Sequence, residues 1–444
     1  MDVLLYTVFF KDLLLGTALG VDVSGFGIWH QIVFLIFALG TQAVLNHYFI
    51  NVTTKLTDWS GYIILGLTVI LIVTLFAFSP VALDFSRLWT FQNVTGDAGG
   101  GVVPFRTESV AFAFLLGLSY VCYTITGFDA SAHTSEETQD AQVNVPKGMW
   151  TAVFWSWVFG LIAVAAYVLT MPSLEEAAAA GWGSFFYMWG SSNMPSWLSI
   201  FLAVGMVVVN YICALAGLTS TSRMMYAFAR DGGLPASAAL ANVSPVYRTP
   251  GTAVWVSAIF AFASTLYAPA YLILAVACAV FLYISMVMPI AAGLLSEGSA
   301  KWKEKGPFNL GSFSKPNAVL AIIFGIVLAI SGFFPPNEKV FYFTIVFIVA
   351  LCGLWSKKTA PVGIGIAVVG LLLGFLPVSD TNVLHFLIPT ATTSYIAIGV
   401  SVIAAAITFA TGGEDKRFEG VPEGEKIKQN QAKIAEIEKK YGEQ

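Results

Sequence analysis

Apolar residues in this chain gather into runs of roughly 17 to 25 positions, and at about 1.5 Å rise per residue each run matches the hydrocarbon thickness of a bilayer. The runs lack the short in-and-out alternation of membrane β-barrels, so helices are expected. The pattern predicts spans over residues 2–20, 27–46, 61–80, 109–135, 148–171, 195–222, 252–268, 270–295, 317–335, 340–356, 361–378 and 392–411. The expected fold is all-α, a polytopic transmembrane helical bundle. Residues 1–411 form the membrane domain, with about 12 spans of which the first is partial, and residues 412–444 form a charged, helical tail.

One run is interrupted. Residues 109–123 are almost wholly apolar, and then Thr124, Ile125, Thr126 and Gly127 lead into a polar stretch containing Asp129, His133, Glu136 and Glu137. Glycine costs about 1 kcal/mol in a helix interior, and threonine diverts hydrogen bonds from the ladder. Their clustering predicts local unwinding at Thr124–Gly127. In lipid, freed backbone groups must face protein or a water-filled cavity, and half-helix ends in that setting bind solutes or ions. On a helix resumed after Gly127, Asp129 and His133 share a face at i and i+4, with Glu136 and Glu137 one turn on. Two readings of the pair stay open: Asp129 caps the second half-helix and His133 bonds to it, or the pair also handles substrate or protons.

Composition agrees with the pattern. Of 444 residues, 57% are hydrophobic and 11% charged, against about 25% charged in soluble proteins. The first span starts without a basic lead, so it does not read as a signal peptide, and it carries Lys11 and Asp12, each costing at least about 2.5 kcal/mol at a bilayer centre. With spans alternating, one side collects 18 Lys and Arg against 3 on the other. The positive-inside rule then places the loop after the broken span and the C-terminal tail in the cytoplasm. Residues 81–107 and 172–194 become external loops; the acceptor triplet at Asn93-Val-Thr95 is too common a pattern to carry weight.

No basic patch points to nucleic acid. Cys122, Cys213, Cys278 and Cys352 lie in apolar spans without paired spacing and read as packed thiols. HExxH, GxSxG and Walker A motifs are absent from the sequence, so it offers no metal site, no cofactor site and no support for an enzyme. In the tail, Ile427, Ile434 and Tyr441 repeat at seven, with Ile437 three after Ile434; a solvated helix and an oligomerisation device both fit.

A second signature ends the span 195–222: Thr219-Ser-Thr-Ser-Arg-Met-Met-Tyr-Ala-Phe-Ala-Arg-Asp-Gly-Gly-Leu-Pro235. Arg223 and Arg230 suit a helix C-terminus, which Asp231-Gly-Gly-Leu-Pro stops. Earlier in this span, Asn210 and the small pair Ala216-Gly217 fit either close helix packing or a substrate pocket.

Gly127-Phe-Asp-Ala-Ser-Ala-His-Thr-Ser-Glu-Glu-Thr138, with Asn144-Val-Pro-Lys-Gly148 and Ser222-Arg-Met-Met-Tyr-Ala-Phe-Ala-Arg-Asp-Gly-Gly-Leu-Pro235, resembles the amino acid-polyamine-organocation (APC) superfamily, most closely its amino acid, GABA and choline permeases. The resemblance covers about residues 1–356. It implies a LeuT-type fold of two inverted five-helix repeats whose sixth helix, here 109–135, breaks at the substrate site. Residues 195–230 correspond to helix eight, and residues 2–20 to the later half of helix three. The counterparts of helices one and two are missing, so an N-terminally truncated version of the plan is expected. The resemblance implies Tyr123 as an aromatic gate, Thr124–Gly127 as the unwound substrate-binding backbone, Asp129 in proton sensing, and Asn210 and Gly217 as further substrate contacts. The implied function is secondary active transport of amino acids or related amines, GABA-like, by alternating access, with H+ or Na+ as coupling ion. The alternative is a non-transporting membrane scaffold or sensor acting through a partner.

Overall fold

The computed structural model describes residues 1–91, 93–96, 107–180, 183–232, 234, 236–265, 270–297 and 306–333. The spans expected at 340–356, 361–378 and 392–411, and the tail, lie outside the described residues. The described elements are helical throughout. Six of the described helices are long and apolar enough to cross a membrane: Ile28–Tyr48, Ile50–Ala77, Ala141–Thr170, Ser196–Arg230, Ala277–Ser296 and Gly311–Ser331. Their outward surfaces carry large apolar side chains; on Ala141–Thr170, Trp157, Leu161 and Val164 are each more than half exposed. Apolar patches of that extent mark a surface that meets lipid rather than water.

The chain divides into two compact units, Met1–Ser220 with Cys278–Asn337, and Thr221–Ala277 with Glu338–Gln444. In the first, α1 begins as one α-helical turn at Asp2–Leu4 and continues as a π-helix over Leu5–Ala18. The wider coil shows in the Thr17 hydroxyl, which donates to the carbonyl of Asp12 five residues back at 2.9 Å. Lys11 and Asp12 pair at 3.0 Å, so the two charges read from the sequence as costly offset each other.

The helices α2 (Ile28–Tyr48) and α3 (Ile50–Ala77) meet at Phe49 without a loop. The sequence pattern placed the third span at 61–80, but the helix already includes Thr53, Thr54, Thr57 and Ser60. Each returns its hydroxyl to a carbonyl three or four residues earlier, which removes the cost of placing it in a helix. The helix α4 (Val110–Tyr123) is followed by the one-turn α5 (Ala130–His133) and a 3-10 turn at Ser135–Glu137. Next, α6 (Ala141–Thr170) starts seven residues before the expected 148, with Pro146 inside it.

The described residues of the expected external loop 172–194 are folded. They include α7 (Leu174–Ala180) and α8 (Ser184–Ser191), and α8 buries Met188 and Trp189 against Leu13, Leu75 and Leu202. The Trp189 indole N–H donates to Ser199 Oγ at 2.8 Å, which satisfies its one polar group. Asp84 caps the 3-10 turn Phe85–Leu88, accepting from the Ser86 N–H at 3.0 Å. Hydrogen bonding from the Ser86 side chain, and then from its backbone N–H, holds the exposed Asp84 carboxyl below the usual carboxylate range. The turn directs Arg87 to donate to the carbonyls of Val168 and Met171 at the end of α6, where a cation also suits the helix dipole.

The helix α9 (Ser196–Arg230) is continuous for 35 residues, the range the resemblance gave for helix eight. Its first part belongs to the first unit. There Gly205 lets α3 come close: a Cβ at that position would stand 2.7 Å from Leu67 Cδ2. In the second unit α9 ends as the sequence implied. Asp231 N–H donates to the carbonyl of Ala227 at 3.1 Å, Gly232 takes φ +78°, and Arg230 lies over the Tyr226 ring. After the short α10 (Ser237–Leu240), α11 (Gly251–Thr265) places Ser257 against Met225 Sδ at 3.7 Å. The remaining described helices are α12 (Ala270–Ser296) and α13 (Ser314–Ser331). In the first unit α13 packs on α4.

Candidate substrate site

The interrupted run is interrupted in the structure as well. The helix α4 stops at Tyr123, residues 124–129 form turns, and α5 restarts at Ala130. Gly127 adopts φ +98°, a backbone state that side-chain-bearing residues rarely reach, and its carbonyl accepts from the Ala130 N–H at 3.1 Å. A β-carbon at Gly127 would meet no heavy atom within 4 Å, so the glycine answers to conformation and not to crowding. Thr124 and Gly127 are exposed, while Ile125, Thr126, Asp129 and His133 are half-buried.

Two glycines on α6 seat the break. A Cβ at Gly160 would stand 3.2 Å from Thr124 Cγ2, and one at Gly148 would stand 3.3 Å from Ser131 Oγ. The unwound segment at Thr124 and α5 at Ser131 thus both lie against α6 at positions where α6 has no side chain. Sequence reasoning did not single out Gly160, and it read Gly148 only as part of a family pattern. Small residues on a span were the available signal.

Asp129 and His133 come together: His133 Nε2 and Asp129 Oδ2 are 3.1 Å apart. The capping role is corrected in part. Asp129 occupies the N-cap position of α5, but its carboxylate makes no cap bond there and turns to the histidine. Its backbone carbonyl accepts from Ala132 and His133 instead, at 2.8 and 3.3 Å. The resumed half-helix is also shorter than expected. After one turn it tightens at Ser135–Glu137, so Glu136 and Glu137 do not continue the face of Asp129 and His133. An aspartate bonded to a histidine four residues on, inside an apolar bundle, can hold or pass a proton without leaving a lone charge.

Tyr123 is the last residue of α4. Asn210 lies mid-way along α9 and donates its amide to the carbonyl of Met206 on the same helix at 2.9 Å. Gly217 is exposed, and a Cβ there would meet nothing within 4 Å, so it makes no tight helix contact. The close approach on α9 falls at Gly205. Cys213 and Cys278 are free thiols on exposed positions, contrary to the expectation of packed ones. Among the described residues, no group of three or more His, Cys, Asp and Glu is placed to hold a metal ion.

Comparison with known proteins bears on this geometry. The chain is 29% identical over 323 residues to amino-acid permease BAT1 of Arabidopsis thaliana, covering 70% of this chain and 60% of the relative. It is 33% identical over 225 residues to a rice protein described as a BAT1 homolog, covering 47% of this chain and 43% of the relative. Amino-acid permease 2 of Neurospora crassa is 27% identical over 318 residues, 68% of this chain and 56% of the relative. The chain therefore spans about two-fifths to three-fifths of the length of these relatives. The amino acid permease family profile matches residues 3–355, which includes the broken crossing, the α6 glycines and α9. By that match the chain is a multi-pass integral membrane protein of the amino acid permease family, within the APC superfamily.

Proposed function

We propose that this chain is a secondary transporter of amino acids or related amines, GABA-like in size, working by alternating access. The observation that carries the reading is the crossing that unwinds between Tyr123 and Ala130 with Gly127 at φ +98°. A backbone freed from its ladder offers N–H and C=O dipoles, and these suit the carboxylate and ammonium ends of an amino acid without placing a charged side chain in the bilayer. Thr124, Ile125, Thr126 and Gly127 form that cradle, and Tyr123 borders it. Asn210 and Gly217 on α9 are the outer contacts. The relatives' description as amino-acid permeases supports the substrate class, and a permease needs no catalytic residues.

Asp129 and His133 serve proton coupling. When the histidine is protonated the pair is a salt bridge, and when it is neutral the same bond remains with one charge fewer. The excess of Lys and Arg on one side orients the chain with its tail in the cytoplasm.

The test is uptake of labelled amino acids into proteoliposomes with and without a pH gradient. Accumulation driven by the gradient is the expected result. Asp129→Asn is expected to reduce gradient-driven uptake about tenfold, with exchange of amino acid across the membrane largely preserved, as befits a loss of about 1.4 kcal/mol in coupling. No uptake of any amino acid or amine by the reconstituted chain would overturn the transport reading. Unchanged gradient dependence in Asp129→Asn would remove the proton role alone.

A further inference from the structure

The first unit buries a carboxyl group that the candidate substrate site does not use. Asp2, at the start of α1, is 8% exposed. Gln42, on α2 and fully buried, donates Nε2–H to Asp2 Oδ1 at 2.8 Å. The other end of the same amide, Gln42 Oε1, is buried without a hydrogen-bond partner. Two deficits therefore meet at one contact: a carboxyl group removed from water, and an orphaned acceptor on the side chain that holds it. A buried polar group is costly unless it is hydrogen-bonded, and a buried charge more so.

One added proton answers both. A carboxylic acid and a primary amide pair head to head through two hydrogen bonds, amide N–H to the acid carbonyl and acid O–H to the amide carbonyl. The first of these bonds is in place, and the acceptor for the second stands open. We propose that Asp2 and Gln42 form a proton-binding site, separate from the Asp129–His133 pair, in which the neutral acid of Asp2 donates to Gln42 Oε1.

Around Asp2 on α1, the Tyr6 hydroxyl is buried without a partner. Asp12 is further along α1, paired with Lys11. From α9, Tyr211 and Cys213 share the field of Asp2, and the Tyr211 hydroxyl is bonded to Thr41 at 2.7 Å. On α2, Gln42 and Asn46 are neutral, and His47 stacks on Tyr48.

The site is wired to a helix junction. Asn46 donates to the backbone carbonyl of Gln42 at 3.1 Å and to that of Leu215 on α9 at 3.3 Å, and Thr219 on α9 donates to Asn46 Oδ1. Asp2 thus lies one helical turn from the bonds that fasten α2 to α9. Loss of its proton puts a charge beside an unpaired carbonyl oxygen at that junction and loosens it.

The test is infrared titration and thermal melting of the full chain in lipid nanodiscs. Asp2→Asn retains both bonds as an amide–amide pair and cannot titrate, so it is expected to fold. Near neutral pH the native chain is expected to show a protonated-carboxyl stretch that Asp2→Asn lacks. The bonded state is the protonated one, so the stabilisation is present at low pH and lost as pH rises through the titration. The melting temperature of the native chain is expected to fall by several degrees over that rise, while Asp2→Asn stays flat. Gln42→Leu is expected to move the carboxyl stretch to the position of an acid without hydrogen bonds. Absence of any stretch sensitive to Asp2→Asn near neutral pH overturns the proposal, as does a stretch that Gln42→Leu leaves in place. No readout here requires transport, so failure of uptake leaves the proton site standing, and failure of the proton site leaves the transport reading standing.

Discussion

Gly127→Val is expected to reduce amino acid uptake at least tenfold without lowering the amount of folded protein recovered in detergent. A Cβ at this position meets open space, so crowding is not the cause. The backbone is: φ +98° lies outside the regions open to residues with side chains, and a β-branched residue is the least tolerant of it. Holding a non-glycine residue in such a state costs about 1–3 kcal/mol, and the chain avoids that cost by rotating Gly127 toward helix. Rotation re-forms the ladder across 124–129 and withdraws the dipoles from the substrate. Uptake and stability should separate, because a straighter crossing is good helix. Gly127→Ala should fall between native and valine in the same assay. Equal uptake by all three would mean that the glycine conformation has no part in transport.

Gly160→Leu is expected to have an effect as large, by a different route. A Cβ there already stands 3.2 Å from Thr124 Cγ2, and the rest of a leucine would occupy the seat of Thr124. Inserting volume into a filled contact costs about 1–3 kcal/mol, and here the side that must give way is the unwound segment. The break moves off α6 and its groups no longer converge. A double-mutant cycle isolates the contact: Thr124→Ser removes the methyl that Gly160 faces, so the pair Gly160→Ala with Thr124→Ser should recover uptake lost in Gly160→Ala alone. Additive losses in the cycle would show that the two positions do not act through each other.

These two glycines mark what the sequence could and could not tell. The break itself was legible, because Thr124, Thr126 and Gly127 interrupt an apolar run and local propensity is enough to signal it. The end of α9 was legible for the same reason: Arg230 and the glycines after Asp231 stop a helix by their own chemistry. Gly160 was not, since its importance depends on Thr124, which is distant in sequence. The start of α3 at Ile50 was missed because Thr53, Thr54, Thr57 and Ser60 are polar by composition, and a pattern of hydropathy does not show hydroxyls turned back on their own helix. Residues 172–194 passed for a loop because what orders them is Trp189 and Met188 sinking into a core built from α1, α3 and α9. The Asp129 cap failed through competition: His133, one turn on, offers the carboxylate a side-chain partner, and the backbone N–H groups at the start of α5 lose it.

The most direct test of the unwound crossing is the reactivity of single cysteines along it, with Cys122, Cys213, Cys278 and Cys352 first replaced by serine. The chain is reconstituted in proteoliposomes and exposed to a membrane-impermeant, charged thiol reagent. Cysteines at Thr124, Ile125, Thr126 and Gly127 are predicted to react and to be protected by amino acids. A cysteine at Phe114, which faces outward from the regular part of α4, is predicted to stay silent. If the four positions prove as unreactive as Phe114, with amino acids present or absent, the crossing carries no open site and the account fails.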